Sequence, residues 1–407
     1  MKYILKPYSM VLITVAISFF LWVIPYSSNF RTGYSAKENL TGNAIFILIL
    51  WYGSIITASF IGYRFGKKIK MNKRLDEIDN DKFYKLITIL SMVGVGYLII
   101  YLLSVNPEIF LNIFNGSANQ IKAVLYANYS IGLLSLRYVV AISGSIGIAN
   151  LIINKRVKVI DLLNILMLLF IAAMSARLLI IMSVLFLLGI LFKKKIILKK
   201  RYFLVGTILL FLLLGFYNNS RNMEFYENRY GTDSSVVANV MEIVTYVGSP
   251  FQVSMGVANN FNQFMAWSNS DNVLMVFPVL KKYYDVPIDY RNYVDIESSL
   301  TTNSAFVDLF SSMGLYSFLV ITITSLVFSI IMGHFSQYRS YIFLIELILL
   351  YCFSEIWRIY LFNQGIILTL LISIIVCSLL VVFLIRRKNT SNTKNLQKRG
   401  FYVQDIN

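Results

Sequence analysis

Mainly apolar stretches of 16 to 25 residues recur along the chain at 8–27, 43–63, 85–104, 129–153, 159–175, 177–192, 202–217, 313–333, 341–358 and 366–385. A hydrocarbon core about 30 Å thick takes roughly 20 helical residues to cross, so the pattern predicts about ten membrane-spanning helices. The stretches 159–175 and 177–192 are short and separated only by a turn at Ser-Ala-Arg, which predicts a tight hairpin or a partly re-entrant pair with Arg177 at its tip.

One polar interval is far longer than the others, residues 218–312, and no internal repeat is visible in it or elsewhere. Its segment "SSVVANVMEIVTYVGSPFQVSMGVANNFNQFMAW" has apolar residues at helical spacing broken at Gly-Ser-Pro, predicting two amphipathic helices across the mouth of the bundle. The expected fold is therefore all-α and polytopic: transmembrane helices in 1–217, a large helical loop in 218–312, further spans in 313–385, and a basic tail at 386–407.

Composition agrees. With 57% apolar and 14% charged residues in 407, the chain has too little polar side chain to coat a water-soluble globule. The net charge of +17 would suit nucleic acid, but placing the amino terminus in the cytoplasm puts 26 of the 37 lysines and arginines in cytoplasmic segments. The basic clusters then follow from topology and anionic lipid, not from nucleic acid, and both termini are expected in the cytoplasm of a plasma-membrane protein. Lys2 and Lys6 precede the first apolar run as in a signal peptide, but no small-x-small cleavage site follows, so a retained helix is expected. Cys352 and Cys377 lie inside apolar stretches and offer neither a disulfide framework nor a thiolate cluster.

Charge inside or beside the apolar runs is the chemical signal. Arg137 lies within one run, Arg177 at the hairpin turn, and Arg358 at the end of another with Glu355 one turn before it. Arg221 and Arg229 are eight apart, about 80° around a helix, with Glu224 close to the first. Guanidinium groups grip phosphate bidentately, and an arginine within the bilayer costs about 2.5–3.5 kcal/mol or more unless it meets a partner, water or ligand. Five arginines on one side of the membrane suit an anionic lipid head such as a polyprenyl pyrophosphate. The competing reading is helix-end anchors that reach lipid phosphates, together with a structural pair of Arg358 and Glu355.

Asp308, just before the run 313–333, is the preferred general base, a carboxylate expected to be partly desolvated and raised in pKa; Glu242 and Glu297 compete with it. Asp295 and Glu297 also have the acidic spacing of some metal-dependent glycosyltransferases, a pattern common by chance, so no metal is expected. His334, the single histidine, falls at the cytoplasmic end of a span, which removes serine–histidine and zinc chemistry from the outer face. No P-loop or dinucleotide fingerprint occurs in the cytoplasmic segments. Most tyrosines suit a membrane-interface belt, though Tyr226, Tyr230 and Tyr246, with Tyr283, Tyr284 and Tyr290, could stack on sugar faces.

With this layout, the segments "SARLLIIMSVL", "SRNMEFYENRYG", "YVGSPFQVSMGVANNF" and "TTNSAFVDLFSSMGL" resemble the Wzy-type oligosaccharide repeat-unit polymerases of O-antigen, capsule and exopolysaccharide assembly. The resemblance implies a metal-independent membrane glycosyltransferase of GT-C type that needs no cofactor. It would transfer the growing glycan, carried on undecaprenyl pyrophosphate, to a hydroxyl of the incoming lipid-linked unit outside the plasma membrane. It implies that Arg177, Arg221 and Arg229 hold pyrophosphate, that Arg137 and Arg358 line the cavity below, and that Asp308 activates the acceptor. Membrane lipid, a chain-length regulator (copolymerase) and a flippase are the implied partners. An O-antigen ligase would call for a histidine in the large loop, a metal-dependent relative for an acidic pair where only Glu38 stands, and a lipid-linked oligosaccharide flippase for more spans and no such loop.

Overall fold

In the computed structural model, which describes residues 5–24, 34, 36–110, 121, 124–125, 133–175, 177–196, 206, 211–212, 215, 235–266, 270–277, 289–296 and 302–401, the fold is all-α. Besides a single turn at Lys73–Asp76, the helices are α1 (Pro7–Val23), α2 (Gly42–Gly66), α3 (Asn80–Val105), α4 (Val140–Asn154), α5 (Val159–Ser175), α6 (Arg177–Lys193) and α7 (Ser235–Asn259). They continue with α8 (Phe261–Ala266), α9 (Ala305–Met313), α10 (Tyr316–Phe335), α11 (Leu344–Ser354) and α12 (Gly365–Phe401). 3-10 turns lead into α4 at Leu133–Val139 and into α11 at Tyr341–Phe343. Among the described residues there is no strand.

Among the described residues, five helical stretches are long and apolar enough to cross a membrane: α2, α3, Leu133–Asn154, α10 and Gly365–Leu384. Four more, Pro7–Val23, Val159–Met174, Leu179–Lys193 and Tyr341–Ser354, are apolar but shorter. At 1.5 Å per residue, the 17 residues of α1 reach about 25 Å. Large apolar side chains such as Phe20, Phe46, Ile100, Leu166 and Leu379 stay exposed, as a lipid-facing surface requires.

Caps fix where the long helices begin. Thr41 accepts from the Ala44 N–H to start α2, and Asp79 accepts from the N–H groups of Asp81 and Lys82 to start α3. The tightest contact runs between α2 and α10. A Cβ on Gly62 would stand 2.5 Å from the Leu326 carbonyl oxygen, and one on Gly333 would stand 2.3 Å from that of Tyr63. Small residues let the two backbones touch, and because Gly62 faces Ser329 while Gly66 faces Gly333, the helices run in the same direction.

The bundle thus has two ends. At the basic end, turns after α2, α4, α6 and α10 carry Lys67, Lys68, Arg156, Lys194 and Arg339. There Gln337 donates to Gly66 and Ile69, Asn80 accepts from the Tyr341 N–H, and buried Asp161 accepts from Tyr84 at 2.9 Å and Asn150 at 3.1 Å, tying α3, α4 and α5. His334 belongs to this end, its Nε2 3.0 Å from the Tyr338 hydroxyl. The opposite end, the lid end, carries residues 36–41 and α7 to α9.

Three local expectations are corrected. Gly-Ser-Pro does not split the segment into two helices: α7 is continuous through Pro250. The proline withholds the N–H that would serve the Tyr246 carbonyl, and α1 packs against the same turn: Ser18 Oγ donates to the neighbouring Val247 carbonyl at 2.6 Å, and Gly248 lets the backbone of Leu21 and Trp22 approach. Arg137 lies within its apolar run as expected, but in the 3-10 turn that opens the span Leu133–Asn154 and not in the regular helix α4. The run 341–358 stops being helical at Ser354, so Glu355 and Arg358 occupy the turn beyond α11. The tail after residue 385 continues α12 as far as Phe401, with no proline to stop it.

Candidate functional site

The lid end is organised around an amide buried on α7. Gln252 Oε1 accepts from the Trp22 indole at 2.7 Å and the Glu38 N–H at 3.0 Å, while its Nε2 donates to the carbonyls of Ala36 at 2.9 Å and Asp295 at 3.3 Å. One side chain therefore joins α1, the 36–41 segment, α7 and the 289–296 segment. Asp295 closes the ring by accepting from the Ala36 N–H at 2.6 Å. A seam of hydroxyls continues inward: Ser249 bonds Thr302 at 2.9 Å, and Ser254 donates to Ser304 at 2.8 Å. Ser304 in turn caps α9 by accepting from the Val307 N–H.

That cap positions Asp308 in the first turn of α9. Its carboxylate accepts from the Asn303 amide and from the Tyr360 N–H at 3.3 Å, and the Ala305 N–H reaches the Ile356 carbonyl at 3.2 Å. The start of α9 and the turn beyond α11 are thus one connected piece. In that turn Arg358 donates Nε and Nη2 to the same Glu355 oxygen, at 2.9 and 2.8 Å, and both residues are largely buried. Tyr246 of α7 lies under the guanidinium, 5.1 Å from ring centroid to charge, and meets Trp357 edge-on. The structure therefore brings Asp308, Arg358 and Tyr246 together from three separate stretches of chain. Tyr290 stands near them, its hydroxyl donating to the Thr302 carbonyl; burial first, then the charges of Asp308 and Asp289, push its phenol pKa up, against an opposing effect of Arg291.

Arg137 is placed differently. It is 3% exposed, with Nη1 bonded to the Leu134 carbonyl at 3.1 Å and Nη2 to the Tyr138 hydroxyl at 3.2 Å. Its guanidinium also lies over the Tyr138 ring at 4.7 Å, and its Nε has no acceptor. Among the described residues no carboxylate pairs with it. The 3-10 turn that carries it is pressed onto Gly94 of α3, where an added Cβ would stand 2.9 Å from the Arg137 nitrogen.

Of the remaining expected residues, Glu242 is half-buried on α7, and Arg177 begins α6. Arg221, Arg229, Glu297, Tyr226, Tyr230, Tyr283 and Tyr284 lie outside the described residues. Gln252 and Trp357 were not singled out from sequence. The available signal for Gln252 was a polar residue at a buried helical position, beside Ser249 and Ser254 on α7.

Comparison with protein-family models, with curated proteins and with solved structures returned no match.

Proposed function

We propose that the chain is a polytopic glycosyltransferase of about ten spans that joins undecaprenyl-pyrophosphate-linked oligosaccharide repeat units at the lid end. In this reading the lid end faces outward from the plasma membrane, both termini lie in the cytoplasm, and the basic turns meet the anionic inner leaflet. The observation that supports it best is Arg137, a permanently charged group inside the bundle whose Nε–H has no acceptor and which, among the described residues, no carboxylate pairs with. An uncompensated charge in such a place costs several kcal/mol, and a diphosphate is the ligand that would repay it.

The reaction needs a proton acceptor beside the acceptor hydroxyl and positive charge at the leaving pyrophosphate. Asp308 supplies a carboxylate already held in place by Asn303 and Tyr360. Arg358 makes no Nη1 hydrogen bond with any described residue after pairing with Glu355 and, with Arg137, Arg177, Arg221 and Arg229, would stabilise charge on the departing diphosphate. Tyr246 offers a ring face next to that guanidinium.

The test is deletion of the gene followed by gel analysis of surface glycan, with complementation. The wild-type copy restores a ladder of chain lengths. Arg137→Ala, present in the membrane at wild-type level, leaves single repeat units at the surface. A full ladder in the deletion strain rules the reading out, and repeat units trapped on the cytoplasmic side assign the chain to translocation instead.

A further inference from the structure

We infer that a groove between the lid-end turns of α2 and α10 binds a membrane lipid whose head is uncharged and rich in hydroxyl groups, a glycosylated lipid and not a phospholipid. The groove encloses about 670 Å³, within the range of small-molecule sites, and α8 with the end of α7 forms its rim.

The rim is made of amides. Asn259 is already engaged, donating to Asn39 and Glu38 and accepting from Thr41, and Asn260 donates to the Gly256 carbonyl. Asn43, Asn262 and Gln263 are exposed, and their side chains make no hydrogen bond with any described residue. Each offers two N–H donors and a carbonyl acceptor, the complement of a sugar hydroxyl that both donates and accepts.

The wall descending from that rim is apolar. Phe46, Leu50 and Leu315 line it and are exposed by 62%, 49% and 50%, and the surface continues into Ile49, Leu319 and Ile323 on the outer faces of the same two helices. A polar cup thus opens directly onto the surface that meets lipid tails, the shape needed for a head group with its chain left in the bilayer. Among the described residues, none that lines the groove carries a charge. A phosphate would lose water there and meet no cation, whereas hydroxyls lose water and regain hydrogen bonds. The occupant is therefore chemically unlike the diphosphate lipids of the reaction proposed above, and the inference needs only the membrane-spanning character of α2 and α10.

The experiment uses the full-length protein in phosphatidylcholine nanodiscs with a minor fraction of glucosyl diacylglycerol carrying a diazirine in one acyl chain. Photolabelling is expected on peptides holding residues 43–50 and 315–318, competed by unlabelled glucosyl diacylglycerol and not by phosphatidylglycerol. Asn262→Leu combined with Gln263→Leu removes two neutral hydrogen bonds from side chains with no hydrogen-bond partner among the described residues, and should lower that labelling about tenfold. Labelling near the lipid-facing Leu162 and Leu166 of α5 should stay unchanged. Equal labelling by a diazirine phosphatidylcholine, or an indifferent double variant, would mean ordinary annular lipid and overturn the inference. Cross-links between two copies at this face would overturn it in favour of a protein interface. Glycan gels report the reaction and photolabelling reports the groove, so either proposal can fail alone.

Discussion

Arg358 and Glu355 show how an ionic group is held within an apolar bundle. Two N–H groups converge on one carboxylate oxygen, and the side chains are only 15% and 6% exposed, so each charge depends on the other. Removing one partner strands the other, which costs about 3–5 kcal/mol, whereas removing both leaves no stranded charge. Glu355→Gln and Arg358→Gln are each expected to lower the detergent melting temperature by several degrees, and the double substitution to recover most of the loss. Additive losses in that cycle would show that the pair is not coupled. The spacing of three residues made this pair legible in the sequence, because residues one turn apart meet on a helix or a helical turn. Asp308 belongs to the same scale. Under the proposed role of general base, its replacement by Asn should lower polymerisation by about 10²–10⁴-fold at unchanged protein level, measured as units joined per minute on lipid-linked substrate. A rate within twofold of wild type would remove Asp308 from that role.

At the scale of elements, backbone contact between α2 and α10 rests on glycine. A side chain at Gly66 would meet the Ile330 carbonyl oxygen at 2.0 Å, a backbone atom that cannot step aside, whereas Gly53 on the same helix has nothing within 4 Å. Gly66→Val should therefore push the helices apart and abolish a monodisperse peak in detergent gel filtration, while Gly53→Ala should leave it intact. The start of α3 offers a pH readout. Hydrogen bonds from the Lys82 N–H, above all, hold the Asp79 carboxyl below its usual range, with burial opposing weakly. A depressed folded pKa means that the cap stabilises above the unfolded value near 3.8 and is lost as pH falls through the lowered folded one. Asp79→Ala should cost about 1 kcal/mol at pH 7, and its deficit should vanish below the carboxylate range, as followed by thermal unfolding across pH. The apolar runs announced most helices because roughly 20 apolar residues have few alternatives to a helix. Gly-Ser-Pro misled because the contacts around this turn of α7 are tertiary: Ser18, 229 residues away in sequence, donates to the Val247 carbonyl. Gln252 was equally hidden, since its partners come from α1, the 36–41 segment and the 289–296 segment.

At the scale of the molecule, chain direction constrains what sequence counting left open. α2 and α10 are parallel. Two parallel helices in one bilayer must be separated by an odd number of crossings. α3 and the Leu133–Asn154 helix contribute two, and α5 with α6 contributes an even number whether the pair crosses fully or re-enters as a hairpin. One further crossing is therefore expected between Lys193 and Ser235, where most of the apolar run 202–217 lies outside the described residues. Cysteine reporters can test this against a quiet background, since Cys352 and Cys377 are both buried. Glu108 and Val236 are exposed at the lid end, Arg156 and Lys194 at the basic end. In intact cells a membrane-impermeant maleimide should label Glu108→Cys and Val236→Cys, and should reach Arg156→Cys and Lys194→Cys only after permeabilisation. If positions 194 and 236 label from the same side, no crossing separates them. The parallel packing of α2 and α10 would then be incompatible with a single bilayer, and the outward placement of Asp308, Tyr246 and Arg358 would fall with it.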